Sequence, residues 1–141
     1  MNMNNKEITV RCDFADKVSR LLTQVSDLYG EFWSCFNFRE NDDDEFVIIV
    51  KSEPTYNWYV DETNKFLAMS DEDICNYIKE TVFDLIGRYA QILQSSYSER
   101  VLDTLQDCIN DWKVVPPPLP KMTHEELVKL VGHDFEYVKE S

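Results

Sequence analysis

Four acidic residues, Glu99, Asp103, Asp107 and Asp111, recur at intervals of four near the end of this 141-residue chain. We call them the acidic row. Residues four apart are neighbours on a helix, where like charges destabilise by roughly 0.2–0.5 kcal/mol per pair. At a rise of about 1.5 Å per residue, successive carboxylates stand about 6 Å apart, a spacing comparable to that of phosphates along a nucleic-acid strand. The row is therefore interpreted in two ways: as the solvated face of a surface helix, or as a surface that imitates a phosphate backbone and binds a protein made to hold DNA or RNA.

A helical wheel separates the acidic row from the apolar residues of the same segment. At about 100° per residue, the row spans an arc of about 120°, and the apolar side chains lie between about 180° and 300° from Glu99. These apolar residues are Val101, Leu102, Leu105, Cys108, Ile109 and Trp112. Arg100 lies within the acidic arc as its one counter-charge. The segment thus predicts a packed helix with an acidic outer face.

Two further groups of acidic residues could extend this charged field. The helix predicted just before carries Asp73, Glu80 and Asp84. A predicted turn contributes Asp42, Asp43 and Asp44. The turn lacks the alternating ligands, central glycine and final glutamate of an EF-hand loop, so it is interpreted as a solvated hairpin tip or as part of a surface for a basic partner.

The sequence offers no recognisable catalytic or metal-binding motif. His124 and His133 are the only histidines, and neither is paired in sequence with a nucleophile or an orienting acid. With 27 acidic residues, any two carboxylates could be nominated for acid–base work, so no pair is informative. The four cysteines contain no C-x-x-C pair and are predicted to be free thiols: Cys12, Cys35, Cys75 and Cys108. We predict a protein that is not an enzyme and holds no metal or cofactor.

The overall charge points to a basic partner. The chain has 14 Lys+Arg against 27 Asp+Glu, a net charge of −13. Hydrophobic residues make up 43% and aromatic residues 13%, which excludes a disordered acidic tail. No signal peptide is recognisable and no apolar run approaches the ~18 residues of a membrane span. These features predict a cytoplasmic protein that binds a basic host protein rather than nucleic acid or a membrane, with its oligomeric state left open.

Hydrophobic periodicity predicts an α+β fold. We expect an antiparallel meander of four or five strands packed with two or three helices, followed by a small C-terminal helix–strand tail. Asp13, Ser70 and Ser98 are predicted helix caps, and Gly30 a helix terminator. The predicted strands are 7–12, 32–38, 46–51 and a hairpin of 56–60 with 65–68, and the predicted helices are 14–28, 71–94 and 98–113.

The predicted organisation has three parts within one domain. Residues 1–113 form the acidic α+β domain, and residues 121–141 form a helix–turn–strand tail packed on it. Residues 114–120, Val-Val-Pro-Pro-Pro-Leu-Pro, form an extended strap that packs on the body or binds an aromatic-lined domain.

Aromatic residues are concentrated between positions 32 and 59. They are Phe32, Trp33, Phe36, Phe38, Tyr56, Trp58 and Tyr59. The first interpretation is the core of the sheet, and a protein-docking patch is the second. Base stacking is the third, although it normally accompanies a basic field. An alternative function follows from the second interpretation: a structural or assembly protein that self-associates through its aromatic sheet.

The closing segment carries a recognisable ending. It runs Met-Thr-His-Glu-Glu-Leu from residue 122 and Leu-Val-Gly-His-Asp-Phe-Glu-Tyr-Val from residue 130. This ending resembles that of small accessory proteins of phages and mobile elements of Gram-positive bacteria. The resemblance covers under a fifth of the chain and implies a context that includes anti-CRISPR inhibitors. In that context, the chain is expected to be a phage-encoded inhibitor that docks on a nucleic-acid-binding surface, with no catalytic residues implied.

Overall fold

A four-stranded antiparallel sheet is the centre of the fold. The computed structural model describes residues 5–42 and 44–116. The strands are β1 (Lys6–Arg11), β2 (Phe36–Asp42), β3 (Glu45–Val50) and β4 (Lys113–Val115). Their order is β2-β3-β1-β4, so β1 and β3 lie at the centre. The predicted α+β class with an antiparallel sheet is confirmed.

The pleat of the sheet separates a core face from an open face. On β1 and β3, Ile8 pairs with Ile48 and Val10 pairs with Phe46, and all four are at most 1% exposed. Successive side chains in a strand point to opposite faces. The other face therefore carries Glu7 and Arg11 of β1, which form the ion pairs Arg39–Glu7 (3.3 Å) and Arg11–Glu45 (2.8 Å).

Six helices and one short 3₁₀ turn complete the described residues. Apolar residues of the longer helices share one buried core with the inner face of the sheet, as the burial of Val18, Leu22 and Ile78 shows. In chain order the elements are α1 (Ala15–Ser26), α2 (Gly30–Cys35), the 3₁₀ turn (Asn57–Tyr59), α3 (Val60–Ala68), α4 (Asp71–Arg88), α5 (Ala90–Leu93) and α6 (Glu99–Asn110). None of the helices in the described ranges is long and apolar enough to span a membrane.

One predicted strand region is helical instead, and another is helical up to Cys35 and a strand from Phe36. Residues 32–38 begin inside α2, which buries Phe32 and Cys35 at a helical spacing of three. Residues 56–68 form the 3₁₀ turn and α3 rather than a hairpin. Thr63 and Phe66 are buried on α3, again three apart, and acidic residues occupy its first turn, where they favour the helix dipole. In both regions the aromatic residues resembled strand residues, but the tertiary packing uses a helical period.

The predicted helix ends are partly right. Ser70 and Ser98 cap α4 and α6, with hydroxyl oxygens that accept from the backbone N–H of Asp73 (3.1 Å) and Val101 (3.2 Å). Asp13 does not cap α1, because the residue before the helix is Phe14, without a side-chain cap. The prediction of a Gly30 terminator was wrong, since α2 begins at that residue.

The predicted helix 71–94 is divided in two. The chain leaves helical geometry at Tyr89, where φ is −112° and ψ is 28°, and α5 follows. A Cβ at Gly87 would meet nothing within 4 Å, so this glycine is not a point of close packing. Its low helix propensity is the local weakness just before the break.

The predicted strap begins as a strand. Val114 and Val115 belong to β4 and pair with Val10 and Thr9 of β1. The remainder of the predicted strap from residue 117, the predicted tail 121–141, both histidines and Asp43 lie outside the described residues. The packing of the tail on the domain stays a prediction.

Candidate protein-binding surface

The acidic row lies along the exposed side of α6. On the opposite side, Leu102, Leu105 and Ile109 are at most 3% exposed. All four residues of the row are exposed. Within residues 5–42 and 44–116, none of them forms an ion pair. The row is therefore a band of charge that the described part of the protein leaves uncompensated.

A surface hollow of about 400 Å³ joins the C-terminal half of this row to two distant parts of the chain. Asp107 and Asp111 reach it from α6, Asp13 from the turn between β1 and α1, and Asp44 from the residue before β3. We call these four residues and their surroundings the acidic hollow. The fold thus brings together four carboxylates that are as far apart as residues 13 and 111 in the sequence.

Two thiols lie between these carboxylates. Burial raises the pKa of Cys12 to about 12, and the neighbouring Cys108, Asp13 and Asp44 add to the effect. The pKa of Cys108 is raised by burial and then by Asp13, Asp107 and Asp111. A thiolate is the reactive form of cysteine, so the acidic hollow holds both thiols in their neutral, unreactive state.

Phe14 forms an exposed part of the hollow's lining. It has φ 54° and ψ 42°, and it is the one non-glycine residue with positive φ among those described. Its ring is 53% exposed, with Lys17 Nζ 6.0 Å from the ring centroid. The left-handed conformation costs a residue of this kind roughly 1–2 kcal/mol. The four-residue spacing between Phe14 and Val18 fits a helix, so the sequence predicted Phe14 as an apolar residue of the first helix. Its exposed position before the helix was not predicted.

Cations also line the hollow. Arg11 donates to Glu45 Oε2 at 2.8 Å, and this bond and the Glu45 charge are the main causes of its raised pKa. Lys113 lies at the start of β4. With Arg11 paired to Glu45, one lysine remains to balance four carboxylates. The hollow therefore keeps an excess of negative charge at neutral pH.

The other predicted site residues lie elsewhere. Asp73, Glu80 and Asp84 are on α4, at angular positions within about 40° of one another, and none of them lines the hollow. Asp84 accepts from Arg88 Nη2 at 2.9 Å, which neutralises part of this face. Asp42 is exposed at the end of β2.

In the part of the chain that the structure describes, no cluster of metal ligands is found. Within the described ranges, no group of three or more His, Cys, Asp or Glu side chains is close enough to hold an ion. No three carboxylates or thiols of the acidic hollow are therefore close enough together to share one cation.

The seven aromatic residues predicted to form one sheet are divided between the core and the surface. Phe32 and Phe36 are at most 1% exposed and belong to the core. Trp33, Tyr56 and Trp58 are instead exposed together beyond the end of the sheet. These exposed rings are not part of the lining of the acidic hollow.

Because its thiols are buried, the fold is expected to lose stability at alkaline pH. Burial raises the pKa values of Cys12, Cys35 and Cys75 to about 12, whereas an unfolded thiol titrates near pH ~8.5. Because the folded state binds these protons more tightly, their contribution is complete below about pH 8.5 and is lost as pH rises towards about 12. We expect the free energy of unfolding to fall above pH ~9 by up to about 1.4 kcal/mol per pH unit for each thiol.

Urea unfolding between pH 7 and 11 measures this dependence. Cys75→Ala removes one titrating group, so its curve should fall less steeply than that of the wild type, whatever its stability at pH 7. Equal slopes in the two proteins would show that the thiol is not the group responsible.

Comparison with known proteins gives no family assignment. No protein-family model matches the chain, and no curated protein and no solved structure matches it either.

Proposed function

We propose that this chain is a non-enzymatic binding protein that docks its acidic row and acidic hollow on a basic, nucleic-acid-binding surface of a host protein. The biological role that we propose is that of a phage-encoded inhibitor, similar in action to anti-CRISPR proteins. The observation that carries the proposal is the convergence of Asp13, Asp44, Asp107 and Asp111 beside the exposed ring of Phe14.

The charge distribution of this surface supports a protein partner. A nucleic-acid-binding surface presents several lysines and arginines at intervals that match phosphates. The acidic row offers carboxylates about 6 Å apart along α6, and the hollow continues it beyond Asp107. Arg100 is the one cation inside the acidic arc, so the match to a phosphate row is incomplete.

The exposed Phe14 ring adds specificity to this charge. An arginine or lysine over an aromatic face gains about 0.5–1 kcal/mol at an exposed site and more when water is excluded. A basic side chain that enters the hollow would meet the ring and the carboxylates of Asp13 and Asp107 together. This combination favours a guanidinium or ammonium group over a hydrated metal ion.

The non-enzymatic part of the proposal rests on the chemistry of the same hollow. Cys12 and Cys108 are its nucleophile candidates, and both have raised pKa values. A catalytic thiol needs a lowered pKa or an adjacent base. The carboxylates around these thiols raise the pKa values of the thiols instead and so oppose thiolate formation.

Capture from a bacterial lysate at low salt tests the proposal. Immobilised full-length protein should retain a basic nucleic-acid-binding protein, and retention should fall steeply between ~0.05 and ~0.5 M salt as the Debye length shrinks below about 5 Å. Retention that is equal at low and high salt would contradict docking through the acidic surface.

A further inference from the structure

One long edge of the sheet is open to a further strand. β2 is the outermost strand on one side of the order β2-β3-β1-β4, and within residues 5–42 and 44–116 no other strand pairs with its outer side. The edge strand on the opposite side, β4, has only three residues. A free edge presents backbone N–H and C=O groups that form a template for an added strand. β2 is therefore the strand of this sheet to which an extended peptide can add.

The hydrogen-bond ladder fixes which groups of β2 point outward. Lys51 N donates to Cys35 O at 2.9 Å. Antiparallel ladders alternate between hydrogen-bonded and non-hydrogen-bonded pairs, so Arg39, four residues further along the same register, bonds to β3. The N–H and C=O groups of its neighbours Phe38 and Glu40 consequently point away from β3. An added strand thus meets two donors and two acceptors of the backbone.

A hollow of about 620 Å³ lies beside this edge. Its lining joins Phe38, Arg39 and Glu40 to residues of α1 and to Tyr97. Because successive side chains of a strand point to opposite faces, a hollow that reaches three consecutive residues also reaches the backbone edge between them. We call this hollow the β2 groove. None of its lining residues belongs to the acidic hollow.

The α1 side of the β2 groove is partly aromatic. Phe38 and Tyr97 are half-buried and pack against the core, and both line the groove. On the same side, Arg20 Nε donates to Glu40 Oε2 at 3.0 Å, which holds the α1 wall against β2. The side chain of a strand residue directly opposite Phe38 lies on the same face, with Cβ atoms about 4.5–5.5 Å apart. An apolar residue is therefore favoured at that position of a peptide.

The open face of the same edge is cationic. The groove contains two arginines against one glutamate, whereas the whole chain carries −13. Arg39 donates through Nη2 to Glu7 Oε1 at 3.3 Å, and both side chains are about half exposed. A guanidinium has further N–H donors, and a residue opposite Arg39 in a non-hydrogen-bonded pair lies with its Cα about 4.5 Å away. An acidic residue there complements Arg39, and salt at ~0.15 M screens acids more than about 8 Å away.

We propose that the β2 groove binds an extended peptide as an added antiparallel strand, with apolar residues on the α1 side and an acidic residue opposite Arg39. Backbone bonds to Phe38 and Glu40 provide affinity, and the alternation of apolar and acidic side chains provides specificity. This surface and its partner are separate from the acidic surface and the basic partner proposed above.

A designed peptide tests the geometry of this docking. The probe is fluorescently labelled Val-Glu-Ile-Glu-Val, titrated with the full-length protein and followed by anisotropy. In the proposed pairing the isoleucine N–H bonds to β2, whereas the glutamate N–H groups point away. We expect N-methylation of the isoleucine to weaken binding at least about fivefold, because it leaves a carbonyl of β2 unsatisfied. N-methylation of either glutamate is the matched control and should change the affinity by less than about twofold.

A protein variant tests the acidic preference. Arg39→Gln should weaken binding of the glutamate peptide up to about fivefold, the range of one cross-strand charge pair. Binding of Val-Gln-Ile-Gln-Val should be the same for this variant and the wild type. Equal effects of Arg39→Gln on the two peptides would overturn the choice of an acidic ligand.

Three outcomes would overturn strand addition itself. One is the absence of binding up to about 1 mM peptide, which sets the affinity weaker than about 4 kcal/mol. The second is equal weakening by N-methylation of the isoleucine and of the glutamates. The third is a protein dimer in sedimentation that the peptide dissociates, because it would assign the edge of β2 to a second copy of the chain.

Discussion

Replacing Asp103, Asp107 and Asp111 by lysine should abolish binding to a basic partner while the protein remains folded. Each substitution turns an attraction into a repulsion at the centre of the proposed interface, where like charges cost several kcal/mol. We expect the affinity at low salt to fall by at least about a hundredfold, which corresponds to about 2.7 kcal/mol. The measurement is titration calorimetry or surface binding with the captured partner.

The fold should tolerate this change. The three side chains are exposed and form no ion pair among the described residues. Replacing surface residues of this kind usually changes stability by less than about 0.5 kcal/mol. Circular dichroism and urea unfolding of the variant should therefore match those of the wild type closely.

A matched variant separates the position of the charge from its amount. Lysine at Asp27, Glu53 and Asp61 makes the same change in net charge at exposed positions away from α6. We expect this control to lower the affinity by less than about tenfold, mainly through long-range attraction. Equal losses in the two variants would mean that only net charge matters, and unchanged binding in the α6 variant would remove the acidic row from the interface.

Phe32→Ala should have the largest effect on stability of any single change that we propose. Phe32 is 0% exposed, and its ring lies 5.6 Å from Tyr29, 5.5 Å from Phe36 and 6.1 Å from Tyr77 between centroids. Removing a buried phenyl ring loses transfer free energy and leaves a cavity, at a cost of about 3–5 kcal/mol. The free energy of unfolding in urea measures this loss.

The same substitution at an exposed phenylalanine provides the control. Phe14→Ala removes an identical group from a position that is 53% exposed, and we expect a loss below about 1 kcal/mol. A loss at Phe32 no larger than that at Phe14 would contradict the assignment of α2 to the core. It would place the Phe32 side chain at the surface.

Local sequence patterns predicted the elements that bury one continuous face. The alternation in β1 and the β-branched run of β3 were sufficient for the central strands. The stripe of Leu102, Leu105 and Ile109 defined α6 and therefore the exposure of the acidic row. The caps at Ser70 and Ser98 were predictable because one side chain makes each bond within its own turn.

The segments that were predicted wrongly depend on contacts that are distant in sequence. In α2, Phe32 is buried against Tyr77, which is far along the chain. In α3, Phe66 packs its ring 4.8 Å from Phe36 and 5.0 Å from Tyr77. Aromatic residues favour strands in isolation, and no local pattern reveals that rings from α2, α3, α4 and β2 meet in the core.

The acidic hollow was beyond sequence reasoning for a related reason. Asp44 and Asp107 were identified as candidates, but nothing in the sequence indicated that the turn before β3 would meet α6. Asp13 was interpreted as a helix cap and Phe14 as the first residue of a helix stripe. Phe14 adopts a left-handed backbone conformation although it is not a glycine, so no sequence pattern indicated it. Asp13 and Phe14 therefore line the hollow instead of starting the helix.

The most direct test of the central claim is competition between this protein and nucleic acid for the same partner. The affinity of the captured partner for the full-length chain would be measured at fixed salt with increasing amounts of the nucleic acid that the partner binds. Docking of the acidic row and hollow on the nucleic-acid-binding surface predicts mutually exclusive binding, so the apparent Kd should rise linearly with the nucleic-acid concentration. A ternary complex with an unchanged Kd would contradict it.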